Sequence, residues 1–276
     1  MSRVGGRRAR SGILVCVAVL AALAVAGCAG SSATPQVIYL TPPPGPATPL
    51  PSGVTPAPTV RLPTPVIDSV AISSNAPDNR WTVTLKKPVV SGISGASATA
   101  MNNAITDAVN GFISAFTGGG LPAVASGDGP STLEGDFSIA LDSPTLVSLR
   151  FTVITNVTGA AHPVETPGSL NFVVSSGAKI SLADLFTSPV AALSTLSSGA
   201  HEALTTLLGP DLTWAGSASS LAFFEKGWAM TPAGLEFTWA QGDIASEAAG
   251  MPTVTLAWSS IKSIVLTSSP AGEFVK

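Results

Sequence analysis

The segment Phe223–Ile264, FFEKGWAMTPAGLEFTWAQGDIASEAAGMPTVTLAWSSIKSI, decides how the sheet is built. Large apolar residues take every second position of one predicted strand, at Leu235, Phe237 and Trp239. The same alternation, which is the period of a strand with one buried face, returns at Val254, Leu256 and Trp258. Proline and glycine in Thr231–Gly234 favour a turn. The segment therefore predicts a hairpin, a polar connection, a third strand and a short closing helix.

Two amphipathic helices are predicted before this segment. The first helix is capped by Ser97 and ends at the glycines that begin with Gly118. Its apolar face carries Met101, Ile105, Val109, Phe112, Ile113 and Phe116. Its solvent face carries Asn102, Asn103, Thr106, Asp107 and Asn110. Ser188 caps the second, Pro189 takes its first helical position, and Gly209 ends it. Its apolar stripe is Val190, Leu193, Leu196, Ala200, Leu204 and Leu207.

Strands fill most of the remaining folded chain. They are predicted at Val66–Ile72, Arg80–Leu85, Pro88–Gly92, Leu133–Leu141, Leu146–Val157, Leu170–Val174 and Lys179–Ser181. In Leu133–Leu141 one side is expected to carry Phe137, Ile139 and Leu141; in Leu146–Val157 the inward residues are Val147, Leu149, Phe151 and Val153. Runs of antiparallel strands with two long helices between them predict an α+β fold, in which the helices cover the sheet or sheets and a short helix closes the C-terminus.

The N-terminus is typical of a bacterial lipoprotein. A basic segment with Arg3, Arg7, Arg8 and Arg10 precedes an apolar run that is short for a spanning helix. The small residues Val25-Ala26-Gly27 before Cys28 resemble a lipobox, which implies cleavage after residue 27 and acylation of Cys28. The alternative is an uncleaved membrane anchor. Arg7-Arg8 raises twin-arginine export, although the surrounding motif favours general secretion.

Cysteine use and charge exclude several classes of site. Cys16 leaves with the signal and Cys28 carries lipid, so the mature domain has no thiol for a disulfide, a metal or a nucleophile. The full chain has 13 basic and 16 acidic side chains, and four of the basic ones lie in the signal. The mature chain is therefore acidic, with a formal charge of −7. This charge argues against partners such as nucleic acid and anionic lipid surfaces.

The chain divides into a signal (1–27), a lipidated cysteine with a proline-rich linker (28–65) and one folded domain (66–276). Two fused lobes, 66–165 and 166–276, are an alternative for the domain. The linker contains TPPPGPATPLPSGVTPAPTVRLPTP, which favours an extended spacer. Over about 33 residues at roughly 3.1 Å each it reaches about 100 Å. It serves either as a stalk through the wall layer or as a disordered spacer.

A series of short segments resembles one family. They are Pro88–Gly92 before a helix, Leu146–Phe151 leading to Thr158–Pro163, Asn171-Phe172, Ile180–Phe186, Thr231–Phe237, Gln241–Gly250 and Val254–Ile264. In this order they resemble the extracytoplasmic domain shared by RsiV-type anti-sigma factors, PdaC-type peptidoglycan deacetylases and a mycobacterial secreted antigen. The resemblance implies the sensing half of such proteins. The catalytic domain of the deacetylases is missing, and only about ten residues precede the apolar run, too few for the cytoplasmic domain that holds a sigma factor.

The chain departs from the family in two loops. Gly242 and Glu247 stand where the family usually shows tyrosines, so a binding surface made by those aromatics is altered here. The glycine doublet that usually precedes the family's histidine is reduced to Gly159-Ala160-Ala161. Both departures lie in loops that the resemblance makes candidates for ligand contact.

Few residues are candidates for chemistry. The two histidines, His162 in a loop and His201 in the second helix, lack the spacing of a zinc site, and no G-x-S-x-G elbow, phosphate-binding glycine loop or dinucleotide fingerprint occurs. Glu236, Asp243 and Glu247 are candidate paired carboxylates, but Glu236 is expected to be a solvated charge on the outer face of its strand. We predict no catalytic residue, no metal and no cofactor. The candidate ligand contacts are His162, Gln241, Asp243 and Glu247.

Three functions remain open at this point. The first is a non-enzymatic binding or sensing module, held at the outer face of the cell membrane by its lipid, for a cell-wall glycan or secreted protein. The second is a cell-envelope hydrolase, or an accessory of one, that uses the carboxylates near Asp243. The third is a carrier of lipid or another apolar molecule, for which an enclosed apolar cavity of several hundred Å³ would be the sign.

Overall fold

A computed structural model describes residues 62–125, 128–213 and 220–276. These residues all belong to one compact unit, Pro58–Lys276. The predicted signal, Cys28 and all but the last four linker residues lie outside the described residues. The division of the domain into two lobes stays a prediction.

Six strands form the larger sheet, in the spatial order β1 to β6. Their bounds are Val66–Asn75 (β1), Trp81–Ser91 (β2), Ser131–Asp142 (β3), Leu146–Asn156 (β4), Val164–Val173 (β5) and Ala178–Lys179 (β6). All neighbours are antiparallel except β2 and β3, which are parallel. Parallel neighbours need a long crossover. Helix α1 (Gly95–Thr117) lies in that connection and covers one face of the sheet.

The second half of the chain forms a smaller antiparallel sheet of β7 (Trp228–Met230), β8 (Gly234–Thr238) and β9 (Thr253–Ala257). Its helices are α2 (Pro189–Leu208), α3 (Ala222–Glu225) and α4 (Trp258–Ile261). The predicted α+β class, hairpin, third strand and closing helix are confirmed. The first position of β8 needs glycine, because a Cβ on Gly234 would lie 2.0 Å from the carbonyl oxygen of Leu256 in the neighbouring β9.

The helices confirm most of their predicted faces and correct several details. Ser188 and Pro189 begin α2 as predicted. The cap of α1 is Ser94, whose side chain accepts from the N–H of Ser97, so the predicted cap was placed three residues too late. In α2 the terminal members of the predicted stripe are wrong, since Val190 is 82% exposed and Leu207 is 56% exposed. The stripe stays buried in the middle of the helix, where β9 packs against it.

Three strands differ from their predictions by more than a few terminal residues. The strand predicted at Leu170–Val174 is β5, which begins six residues earlier, at Val164. Arg80–Leu85 and Pro88–Gly92 were predicted as separate segments, but β2 runs through both and tolerates Pro88. In β3 a bulge lies between Ile139 and Leu141. Since one extra residue reverses the faces of a strand, Leu141 belongs to a different hydrophobic cluster from Phe137. Ile139, which precedes the bulge, is 43% exposed. The prediction of one shared side was therefore wrong.

Two clusters of buried apolar residues make the core. One lies between α1 and the larger sheet, and the other joins the smaller sheet to α2 and the C-terminal segments. Strand β4 contributes to both: Val147, Leu149, Phe151 and Val153 belong to the first cluster, as predicted, and Leu146 belongs to the second. The smaller sheet thus packs on the face of β4 that α1 leaves free.

At two places where no neighbouring strand is present, the carboxamide of an asparagine forms the hydrogen bonds with the backbone N–H and C=O groups. Asn102 accepts from the N–H of Val90 and donates to its carbonyl oxygen, both at 2.8 Å, where β2 extends past β3. The prediction that Asn102 faces solvent was therefore wrong. Asn171 is fully buried, donates to the carbonyl oxygen of Trp228 and accepts from the N–H of Met230. A carboxamide, with one acceptor and two donors, replaces the missing neighbouring strand.

Candidate functional site

The loop Gln241–Gly250 is tied to the entry of β5 by the side chain of Gln241. Its backbone N–H donates to the carbonyl oxygen of Glu165 at 3.1 Å, and its Oε1 accepts from the N–H of Glu165 at 3.0 Å. Its Nε2 donates to the carbonyl oxygen of Glu247 at 2.9 Å. One glutamine thus extends the pairing of β5 by one residue and also fixes the far side of its own loop.

A second tie joins the same loop to the segment after β4. His162 Nε2 lies 2.6 Å from Glu247 Oε2. The structure therefore brings together three of the four predicted contact residues, His162, Gln241 and Glu247. Asp243 stands apart: its carboxylate is exposed and has no hydrogen bond or ion pair with any described residue, although its N–H donates to the carbonyl oxygen of Ala240.

The loop is anchored from below by apolar residues. Ile244 and Ala245 are buried, and Ile244 is fully enclosed. The carbonyl oxygen of Ile244 accepts from the N–H of Thr213, and Ala245 forms a bridge with Leu212. Gly242 has a φ of 84°, a left-handed conformation that side chains other than glycine rarely adopt. The glycine that replaces a tyrosine of the resembled family is therefore required by this backbone.

The imidazole of His162 is set up to hold a proton. The carbonyl oxygen of Pro163, 3.0 Å from Nδ1, can only accept, so Nδ1 carries a hydrogen. Nε2 then faces the Glu247 carboxylate and is protonated in the charged ring. The hydrogen bond to Pro163 and, after it, the charge of Glu247 raise the pKa of His162. Both side chains are largely exposed, so this contact, called the latch below, is a solvent-accessible pair and not a buried catalytic pair.

A cleft of about 230 Å³ opens beside this loop. Met251, which directly follows the loop, and Thr253 line this cleft, and so does Pro167, two residues after Glu165. The full lining is Ser138, Arg150, Phe151, Thr152, Pro167, Gly168, Gly227, Thr238, Met251 and Thr253. The cleft therefore lies where the larger and smaller sheets meet.

Arg150 is the one charged residue of this lining. It pairs with Glu236 of β8, whose side chain is only 13% exposed. The prediction that Glu236 is a solvated charge was therefore wrong, because the smaller sheet turns this face of β8 toward β4. The Nε of Arg150 is buried without a hydrogen-bond partner among the described residues, so the 35% exposure of this side chain belongs to its other atoms.

Four residues with hydroxyl groups line the same cleft as Arg150. Ser138 is the cross-strand partner of Arg150, and Thr152 follows two residues later on the same face. Across the cleft, the hydroxyls of Thr238 and Thr253 lie 2.9 Å apart. Sequence reasoning missed Arg150, although a signal existed: it is the only charged residue of β4 and falls in the phase opposite to the inward residues.

The candidate carboxylates do not form a catalytic pair in this arrangement. Glu236 bonds to Arg150, Glu247 bonds to His162, and Asp243 faces solvent. Among the described residues no three His, Cys, Asp or Glu side chains lie close enough to hold a metal ion. His201 is exposed on α2, as expected. No helix within residues 62–125, 128–213 and 220–276 is both long and apolar enough to span a membrane.

An apolar groove of about 290 Å³ lies at the end of α1. Phe112, Phe116, Leu121, Leu133 and Val153 are among the residues that line it. This groove opens to solvent, whereas an enclosed cavity was the expected sign of an apolar carrier.

Comparison with known proteins finds a family match for part of the chain and crystal structures that are similar to it. Residues 183–259, which hold α2, the smaller sheet and the loop Gln241–Gly250, match a family model described as "Protein of unknown function (DUF3298)". The crystal structure of a DUF3298 family protein from Pseudomonas aeruginosa PAO1 is similar, with a TM-score of 0.51, 14% identity and coverage of 73% of this chain and 94% of that chain. A member of that family from Bacteroides fragilis NCTC 9343 has a TM-score of 0.47 and 14% identity, over 78% of this chain and 98% of that one. No curated protein matches the chain. At this identity the Pseudomonas structure shows a shared fold and transfers no activity.

Proposed function

We propose that the protein is a lipid-anchored extracytoplasmic module that binds a cell-wall glycan or a secreted protein and catalyses no reaction. The lipobox-like segment before Cys28 and the proline-rich linker support the location. The resemblance of the folded part to the sensing half of RsiV-type proteins supports a binding role. The anchor would concentrate the module at the membrane, and the linker would let it reach the wall layer.

The observation that carries this proposal is the braced loop beside the Arg150 cleft. Three contacts hold the loop in place: the hydrogen bonds of Gln241, the His162–Glu247 latch and the burial of Ile244. A loop that is already ordered spends little conformational entropy on binding. Met251 and Thr253, which follow the loop in the chain, line the cleft, so a ligand there lies next to a segment that the loop holds in place.

The lining of the cleft selects polar groups. Arg150 donates hydrogen bonds in a fixed plane, and the four hydroxyls of Ser138, Thr152, Thr238 and Thr253 both donate and accept. Pro167 and Met251 add a small apolar surface. Sugar hydroxyls and exposed peptide carbonyls meet this combination of donors, acceptors and apolar contact.

The test is a binding measurement with the purified full chain, using isolated peptidoglycan sacculi and, separately, total secreted protein. The paired substitution Arg150→Gln with Glu236→Gln removes both charges without leaving either one unpaired. We expect it to weaken binding at least about tenfold, which corresponds to about 1.4 kcal/mol. Glu202→Gln, in an exposed position of α2, is the matched control and should bind as the parent does.

Two results would overturn the proposal. Equal binding by the parent and the double variant would place the ligand elsewhere, and no binding to either probe would remove the binding role. The location has its own test. Mass spectrometry of the N-terminal peptide should find acyl chains on Cys28 and no trace of the preceding arginines.

A further inference from the structure

Strand β1 forms one complete edge of the larger sheet. It pairs with β2 over all ten of its residues, and its other side has no backbone partner among the described residues. Every second N–H and C=O of this edge therefore faces solvent. The strand lies almost entirely at the surface, with Val66 at 51% and Val70 at 50% exposure.

This edge lacks the features by which proteins usually prevent strand pairing. Edge strands are commonly short, interrupted by proline or a bulge, or rich in lysine. In contrast, β1 (VIDSVAISSN) has no proline, glycine or lysine, and Asp68 is its only charge. Its register with β2 continues without a shift from Val66 to Asn75. The edge therefore presents a regular and uninterrupted row of backbone groups for another strand.

We propose that β1 pairs antiparallel with β1 of a second copy of this chain, across a twofold axis that passes at or next to Val70. The two larger sheets then join into one sheet of twelve strands. Pairing across nine residues, 66–74, would form about nine backbone hydrogen bonds, because antiparallel partners exchange on average one bond per residue pair. The inference rests neither on the lipid anchor nor on a ligand in the cleft.

The sequence of β1 is compatible with its own antiparallel copy. With the axis at Val70, the two exposed valines face each other, and each Asp68 lies opposite Ile72 of the other copy. The like charges therefore stay apart. The arrangement is also closed, since the opposite edge of the sheet is the two-residue β6 and offers no comparable site for growth. An isologous dimer thus covers the only long free edge that the described part of this sheet presents.

Cysteine cross-linking in cells that produce the full chain tests the proposal. The only cysteines of the parent are Cys16 and Cys28, and the parent sets the background. Directly opposed residues in an antiparallel pair have Cα atoms about 4.5–5.5 Å apart, within the range of a disulfide. After oxidation with copper phenanthroline, Val70→Cys or one of its neighbours, Ser69→Cys or Ala71→Cys, should give a reducible band of twice the chain's mass. Val190→Cys, which is more exposed but lies on α2, should not.

A second variant separates pairing from random collision. Ser69→Lys with Ala71→Lys, added to Val70→Cys, places lysines of the two copies opposite each other across the axis. Beside Ser69→Cys or Ala71→Cys, the other of the two lysines is used alone. Both positions are exposed, so the fold should tolerate the change, which circular dichroism checks. We expect the dimer band to fall to the background. The proposal is overturned if none of the three cysteines exceeds Val190→Cys, if the lysines leave the band unchanged, or if the adduct has the mass of a complex with another protein.

Discussion

Replacement of Asn171 by alanine should destabilise the fold, because it leaves a buried backbone carbonyl oxygen without a hydrogen-bond donor. Asn171 Nδ2 donates to the carbonyl oxygen of Trp228 at 3.1 Å, and both residues are buried. An unsatisfied buried acceptor costs about 1–3 kcal/mol, and loss of the hydrogen bond from Ser148 adds about 1 kcal/mol. We therefore expect Asn171→Ala to lower the free energy of unfolding by about 2–4 kcal/mol.

The neighbouring Ser148 makes a sharper test possible. The N–H of Met230 donates to both Ser148 Oγ and Asn171 Oδ1, so either acceptor alone still satisfies it. Ser148→Ala should therefore cost only about 1 kcal/mol. In the double variant the N–H of Met230 loses both acceptors, and the cost should exceed the sum of the single changes by about 1–3 kcal/mol.

Urea unfolding followed by tryptophan fluorescence and circular dichroism measures these free energies. Asn103→Ala, on the exposed side of α1, is the control and should stay within about 0.5 kcal/mol of the parent. Additive costs in the double variant, or an Asn171→Ala variant as stable as the control, would refute the role assigned to this carboxamide.

Three further predictions concern the latch, the cleft and α2. Because the pKa of His162 is raised, its contact with Glu247 stabilises the fold fully below the ordinary pKa of 6.5, and this stabilisation is lost as pH rises through the raised pKa. Glu247→Gln should therefore reduce the fall in Tm between about pH 5 and about pH 8. An unchanged dependence of Tm on pH would contradict this prediction. Glu236→Gln should cost about 1–2 kcal/mol in urea unfolding, a modest value because the side chain of its partner Arg150 is about one-third exposed. A cost below that of Glu202→Gln would argue against the pair. Leu196→Ala should cost about 2–5 kcal/mol whereas Val190→Ser should change stability by no more than about 0.5 kcal/mol, and similar costs would refute the burial pattern of α2.

Local patterns in the sequence predicted the elements that depend on neighbouring residues. The alternation around Phe237 and the Ser188-Pro189 start of α2 appear in the structure as expected, because strand period and helix capping are set within a few residues. The bulge before Leu141 was missed because it changes the period within an otherwise regular strand. The ends of α2 were missed because amphipathicity gives the direction of a face and not how far the partner surface extends.

The candidate site was only partly predictable for the same reason. His162 and Glu247 could be named from the resemblance, but they lie 85 positions apart in the chain, and their contact depends on how the smaller sheet packs on β4. Arg150 and Glu236 are separated by a similar distance, and the sequence around each shows only one charge in an apolar strand. Long-range pairing of this kind leaves no local signature.

The two faces of β4 have a consequence for how the domain comes apart. One face supplies four side chains to the cluster under α1, and the other supplies Leu146, Ser148 and Arg150 to contacts with the smaller sheet. Unfolding of either the part under α1 or the smaller sheet would expose one face of β4 to solvent. Calorimetry should therefore record a single heat-absorption peak, and a truncation anywhere inside β4 should abolish both halves together.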